Sequence, residues 1–203
     1  GTRCVELRES RELSDSKLPA LFTLYHHANN YFPPSALAAA KKSDFPRTHA
    51  DAEELNSLRL SGELPLTSQE MKGLAQVRFK GAEGSAEQKS YSPGEVAGFF
   101  ASDRAMHPYS YSSTREDQAT LATDFFLHSR HRVESQIAFA SKEATMNEIV
   151  WGETNRIGHA RIKERLEFIL DELVPTIDFS QDLAQLPTPR PLTSWPEVIE
   201  AEG

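Results

Sequence analysis

Apolar residues recur at helical spacing in several stretches of the chain, with charged and proline-rich segments between them. The opening CVELRESRELSDSKLP is charged and irregular, and Pro19 stands at the start of the more apolar ALFTLYHHANNYF. There Leu21, Leu24 and Ala28 lie three and four apart, which predicts a short helix closed by Asn29 and Asn30 before Pro33 and Pro34. SALAAAKK at 35–42 predicts a further turn or two of helix with Ser35 as cap, and DAEELNSLRLSGELP a short helix stopped near Gly62. Thr67 or Ser68 then caps a helical turn, and the alternation in AQVRFKG at 75–81 predicts a short strand. GAEGSAEQKSYS has almost no apolar content and reads as an exposed, mobile loop.

The second half is more regular. SPGEVAGFFASD at 92–103 predicts a capped helix with Pro93 in its first position, despite Gly98 inside it. A serine or Thr114 caps a helix over 115–129 that turns Ala119, Leu121, Ala122, Phe125 and Phe126 inward. RVESQIAFAS at 132–141 fits a strand with Val133, Ser135, Ile137 and Phe139 on one side, although so short a run also admits a helix. EIVWGETNRIG predicts a strand entering a structural turn. HARIKERLEFILDELVP at 159–175 is the clearest amphipathic helix, with Ile162, Leu166, Ile169, Leu170 and Leu173 on one stripe and Pro175 ending it. The expected architecture is a mainly helical α+β domain over 1–175 with a few short strands. Residues 176–203 would form a proline-rich extended arm packed on it, with Trp195 as a candidate anchor.

A length of 203 residues suits one domain with a sizeable core. Twenty-two basic against thirty acidic residues leave a net charge of -8, which argues against the basic face that nucleic acid requires. No apolar stretch approaches the roughly 20 residues of a membrane span. Cys4 is the lone cysteine, so neither an intrachain disulfide framework nor a thiolate metal cluster is expected. The chain opens at Gly1 rather than at methionine, which leaves room for an export segment removed upstream.

Seven histidines raise the question of a metal. His128 and His131 lie three apart at a helix end, where a surface role or pairing with local carboxylates outweighs a ligand role. His26 and His27 are adjacent and face different sides of a helix, so one can line a pocket while the other packs or is exposed. Glu116 and Asp117 fall in a first helical turn, where unpaired backbone donors stabilise negative charge; capping alone accounts for both and outweighs the alternative that, kept ionised, they serve as metal ligands. His107, Tyr109 and Tyr111 approach the same helix end, where tyrosine hydroxyls either polarise a carbonyl or pack. GETNRIG lacks the spacing of a dinucleotide or phosphate loop, and no organic cofactor is expected.

Three stretches, taken together and in order, carry a resemblance: TLYHHANNYFP from Thr23 to Pro33, YSYSSTREDQATLATDFF from Tyr109 to Phe126, and IVWGETNRIGHARIKERLEFILDELVP from Ile149 to Pro175. They resemble segments of a family of exported bacterial proteins, often lipoproteins, related to zinc-dependent metallopeptidases. Its members carry a helix like HELAHANDFFP, a tyrosine-rich segment entering a helix like REDFAMLFE, and a segment like VKWGxRGRIG followed by IKxR. The resemblance implies a zincin-like fold, an exported, periplasmic or outer-envelope location, and a zinc site made by two histidines four apart, a general-base glutamate and a distant glutamate ligand. Placed on this chain, the motif puts Thr23 at the first histidine and Leu24 at the glutamate, leaving His27 as second histidine and Glu116 as third ligand. Thr23 is no substitute for imidazole, and Leu24 accepts no proton from water. The expectation is therefore a degenerate peptidase with a binding or structural role toward a protein or peptide. Its cleft would lie between the first helix and the one that opens at Arg115, marked by His26, His27, His107, Tyr109, Tyr111 and Glu116. Two alternatives stand beside it: an active metal-dependent peptidase with an altered ligand set, and a structural or interaction domain with no ligand.

Overall fold

The computed structural model describes residues 2–9, 59–141 and 148–194. Its fold is mixed α+β, mostly helical, with one small antiparallel sheet. Serine hydroxyls set most of the helix starts. After a helical end at 59–63, Ser68 accepts from the Met71 amide and opens α1, Gln69–Lys80. Ser85 with Gln88 and Ser92 with Glu95 form reciprocal capping boxes at α2, Ala86–Ser90, and α3, Pro93–Ala101. A 3-10 turn at Pro108–Ser112 leads to α4, Thr114–His131, capped by Ser113. The last helices are α5, Ala160–Leu173, and α6, Ser180–Ala184.

The sheet runs in the order β1 (Thr2–Glu9), β2 (Glu134–Ser141), β3 (Ile149–Thr154) and β4 (Arg190–Pro191). Every pairing is antiparallel, and the fourth strand contributes only two residues. One face meets α3 and α1, where Phe100, Phe139 and Trp151 stack with ring centroids 5.4–5.9 Å apart. A second core lies between α4 and α5 and takes in Phe179, Leu183 and Leu186 from the segment around α6. The predicted stripe Ile162, Leu166, Ile169, Leu170 and Leu173 is wholly buried there.

Four expectations are corrected. The strand proposed at 75–81 is the second half of α1: Met71 and Ala75, four apart, bury together. The run ends only at Gly81, whose φ of 75° favours a residue without Cβ. The loop assigned to GAEGSAEQKSYS contains α2, because its capping box satisfies the amides of Ser85 and Gln88, which composition alone leaves open. The opening stretch, read as irregular, supplies β1, which pairs Cys4 with Phe139 and Val5 with Ala138. Alternation in VELRE carries that signal, and pairing with a distant strand realises it. Finally, the arm is extended only in part, since Phe179 and Leu183 bury one side of α6. The helices expected near 92–103, 115–129 and 159–175 and the strands at 132–141 and 149–154 all form. Those expected at 19–30 and 35–42, and Trp195, lie outside the described residues.

The GETNRIG turn owes its two glycines to close approach. A Cβ on Gly158 would stand 1.7 Å from the Pro187 carbonyl oxygen, and one on Gly152 would stand 2.7 Å from that of Leu192. Asn155 between them adopts φ 59°, a left-handed conformation that Asn tolerates. Its side chain donates to Glu134, which also receives Arg190 from the arm.

Candidate functional site

The site is built on the irregular loop that joins α3 to the Pro108–Ser112 turn. Six consecutive carbonyls, the last two of α3 and the first four of that loop, are held by three arginines. Arg156 takes Phe100, Asp103 and Ala105, Arg161 takes Ala101 and Ser102, and Arg165 takes Arg104. A helix C-terminus leaves its last carbonyls without intrahelical donors and carries partial negative charge, so guanidinium groups belong there on both counts. Arg156 also lies over the Phe100 ring at 4.3 Å and pairs with Glu153 at 2.9 Å. Burial pushes its ordinarily high pKa down, and the Glu153 carboxylate opposes this. His159 binds the other oxygen of Glu153 at 2.7 Å.

Arg165 is fully buried on the apolar stripe of α5. It grips both oxygens of Asp117, and it donates from Nε to the Leu64 carbonyl at 2.9 Å. Burial pushes the Asp117 carboxyl up, and the guanidinium pulls it back toward ionisation. Asp103 fastens the loop to the start of α1 by accepting from the Thr67 and Ser68 amides at 2.8 and 2.9 Å. Burial alone would raise its pKa, but the amides of Ser68, Arg104 and Thr67 and the Tyr111 hydroxyl hold it below the usual range.

The sequence candidates at this helix end divide. Tyr111 is buried, donates to Asp103 at 3.0 Å and packs edge-on to Phe100, so it belongs to the core. Burial, then the Asp103 charge, push its phenol far above the ordinary value. His107 caps the 3-10 turn, its Nδ1 accepting from the Tyr109 amide at 2.8 Å. That bond assigns the proton to Nε2, which then offers no lone pair to a metal. Tyr109 is half-buried against Phe79, and its phenol is raised by burial and then by the nearby Glu116 carboxylate. Glu116 lies in the first turn of α4, its amide bonded to the Ser113 hydroxyl at 3.2 Å as capping requires. Tyr109 and Glu116 are therefore brought together, while Tyr111 and His107 serve the scaffold. His26 and His27 lie outside the described residues. His128, the other histidine weighed from spacing, donates from Nδ1 to the Val133 carbonyl at 3.1 Å and ties α4 to β2.

Among the described residues no group of three His, Cys, Asp or Glu side chains is placed to hold a metal ion. A catalytic zinc takes three protein ligands, and of the ligands the resemblance implies the described residues supply Glu116 alone. They do not by themselves fit zinc, and no step through zinc follows from them. Asp117 was weighed beside Glu116 as a capping carboxylate, but Arg165 was not among the sequence candidates, although a charge at 165 inside the stripe 162, 166, 169 and 173 is a readable sign of an inward-facing ion. Arg156 and Asp103 carry no such periodic sign. Comparison with protein-family models, with curated proteins and with solved structures finds no match to this chain.

Proposed function

We propose that the chain is a non-catalytic binding protein on a metallopeptidase-like scaffold, with Tyr109 and Glu116 at the centre of its site. One observation carries this reading: the carboxylate that the resemblance makes a third zinc ligand lies on the Ser113-capped first turn of α4 beside the Tyr109 phenol, whose pKa it helps to raise. The sequence supports it, because Thr23 and Leu24 stand where a zinc peptidase needs a histidine and a general base. A carboxylate beside a phenol oxygen offers acceptors to a ligand that brings N–H donors, such as the amides or ammonium of a peptide. The resemblance extends this to a protein of the bacterial envelope.

The test is the metal content of protein purified without chelator or metal-binding tag, measured by elemental mass spectrometry on the wild type and on Glu116→Ala. The expected result is folded protein without stoichiometric zinc in either. About one equivalent of zinc in the wild type, lost in Glu116→Ala, would replace this reading with a peptidase of altered ligand set.

A further inference from the structure

Arg165 joins the two segments that carry the pair just described. Its Nη1 donates both to the Arg104 carbonyl at 3.2 Å and to Asp117 Oδ1 at 3.0 Å. Arg104 belongs to the loop that runs, through the His107 cap, to Tyr109. Asp117 is the residue after Glu116 on the first turn of α4. A single nitrogen thus joins the loop that delivers the phenol to the helical turn that bears the carboxylate.

We propose that Arg165 is a positioning residue for the Tyr109–Glu116 site, with Arg156 and Arg161 holding the rest of the loop against it. The proposal rests on the reading of that pair as the binding site. An irregular loop of this length ordinarily exchanges its carbonyls with water, and its end wanders accordingly. Here every carbonyl from Phe100 to Ala105 has an arginine donor, and the planar guanidinium fork fixes direction as well as distance. From Ala105 the chain has two residues to reach His107, whose ring then receives the Tyr109 amide. The geometry is therefore set before any ligand arrives, which removes the ordering cost from binding.

The test compares Arg165→Lys with Leu170→Ala, a core variant chosen to match its loss of thermal stability. Lysine keeps the charge opposite Asp117 but cannot fork to Arg104 and Leu64. The expected result in Arg165→Lys is a fall in hydrogen-exchange protection of the Tyr109 amide about tenfold beyond that in Leu170→Ala, with a moved Tyr109 ring resonance assigned through Tyr109→Phe. Equal protection in the two variants and an unmoved ring would reduce Arg165 to a stabilising residue and overturn the proposal. Arg161→Ala, at an exposed position, decides if Arg165→Lys fails to fold. It should lower protection at Tyr109 with little loss of stability, and no change there would equally overturn the idea. None of these measurements uses a metal or ligand, so a positive result here survives, and is distinguishable from, failure of the binding reading.

Discussion

Arg156 and Arg165 are both buried arginines that hold the same loop, yet they solve the problem of a buried charge differently. Arg165, on the face of α5 toward α4, donates to two backbone carbonyls, and its one counter-ion, Asp117, is itself almost fully buried. Arg156 meets three backbone carbonyls and an aromatic face, and its carboxylate, Glu153, reaches toward solvent and is shared with His159. A guanidinium satisfied mainly by backbone dipoles survives loss of its counter-ion. One whose only charge partner is buried with it loses far more when that partner goes.

The comparison breaks most sharply at Asp117→Asn, which leaves Arg165 buried without a counter-ion and should cost about 3–5 kcal/mol in denaturant unfolding. Gly158→Ala attacks the other region through the backbone: its Cβ cannot coexist with the Pro187 oxygen, so the arm must move, at about 1–3 kcal/mol. Early proteolytic cleavage within 185–192 would report the displacement. Glu153→Gln should cost less than Asp117→Asn, about 1–2 kcal/mol, because Arg156 keeps its carbonyls. A loss equal to that of Asp117→Asn would end the distinction between the two sites.

A smaller effect lies in pH. The Asp103 carboxyl is held below its ordinary value, so the stability it contributes is fully present above about pH 4 and is lost as pH falls through its lower folded value. Asp103→Asn should therefore flatten the acid limb of a stability-versus-pH curve, and an unchanged limb would mean other carboxylates govern it. Smallest of all, His159→Gln at a partly exposed pair should stay within about 0.5 kcal/mol of wild type.

Periodicity carried about half of the described helices and strands, because α3, α4, β2, β3 and α5 have patterns whose spacing is local. It failed where a non-local partner decided the outcome. VELRE is an indifferent strand until β2 lies beside it, and AQVRFK alternates well enough to hide a helix until Ser68 and Gly81 mark its ends. At the site, Tyr109 and Glu116 were legible as residues near one helix end, but their neighbours Tyr111 and His107 looked equivalent to them. What separates these residues is burial and a backbone amide, neither of which a side-chain pattern records. The arginine-held loop was invisible for the same reason, since its acceptors are carbonyls that every residue carries.

Arg165 has one more consequence, for the order of events in folding. Its hydrogen bonds reach Leu64, Arg104 and Asp117, across sequence separations of 101, 61 and 48 residues. No short-range nucleus can satisfy it, so its contacts close after the helices have docked and the slow search for topology is over. Interactions absent from the transition state act on the way out. Arg165 is thus a brake on unfolding, and its variants should steepen escape from the native state while leaving the speed of arrival almost untouched.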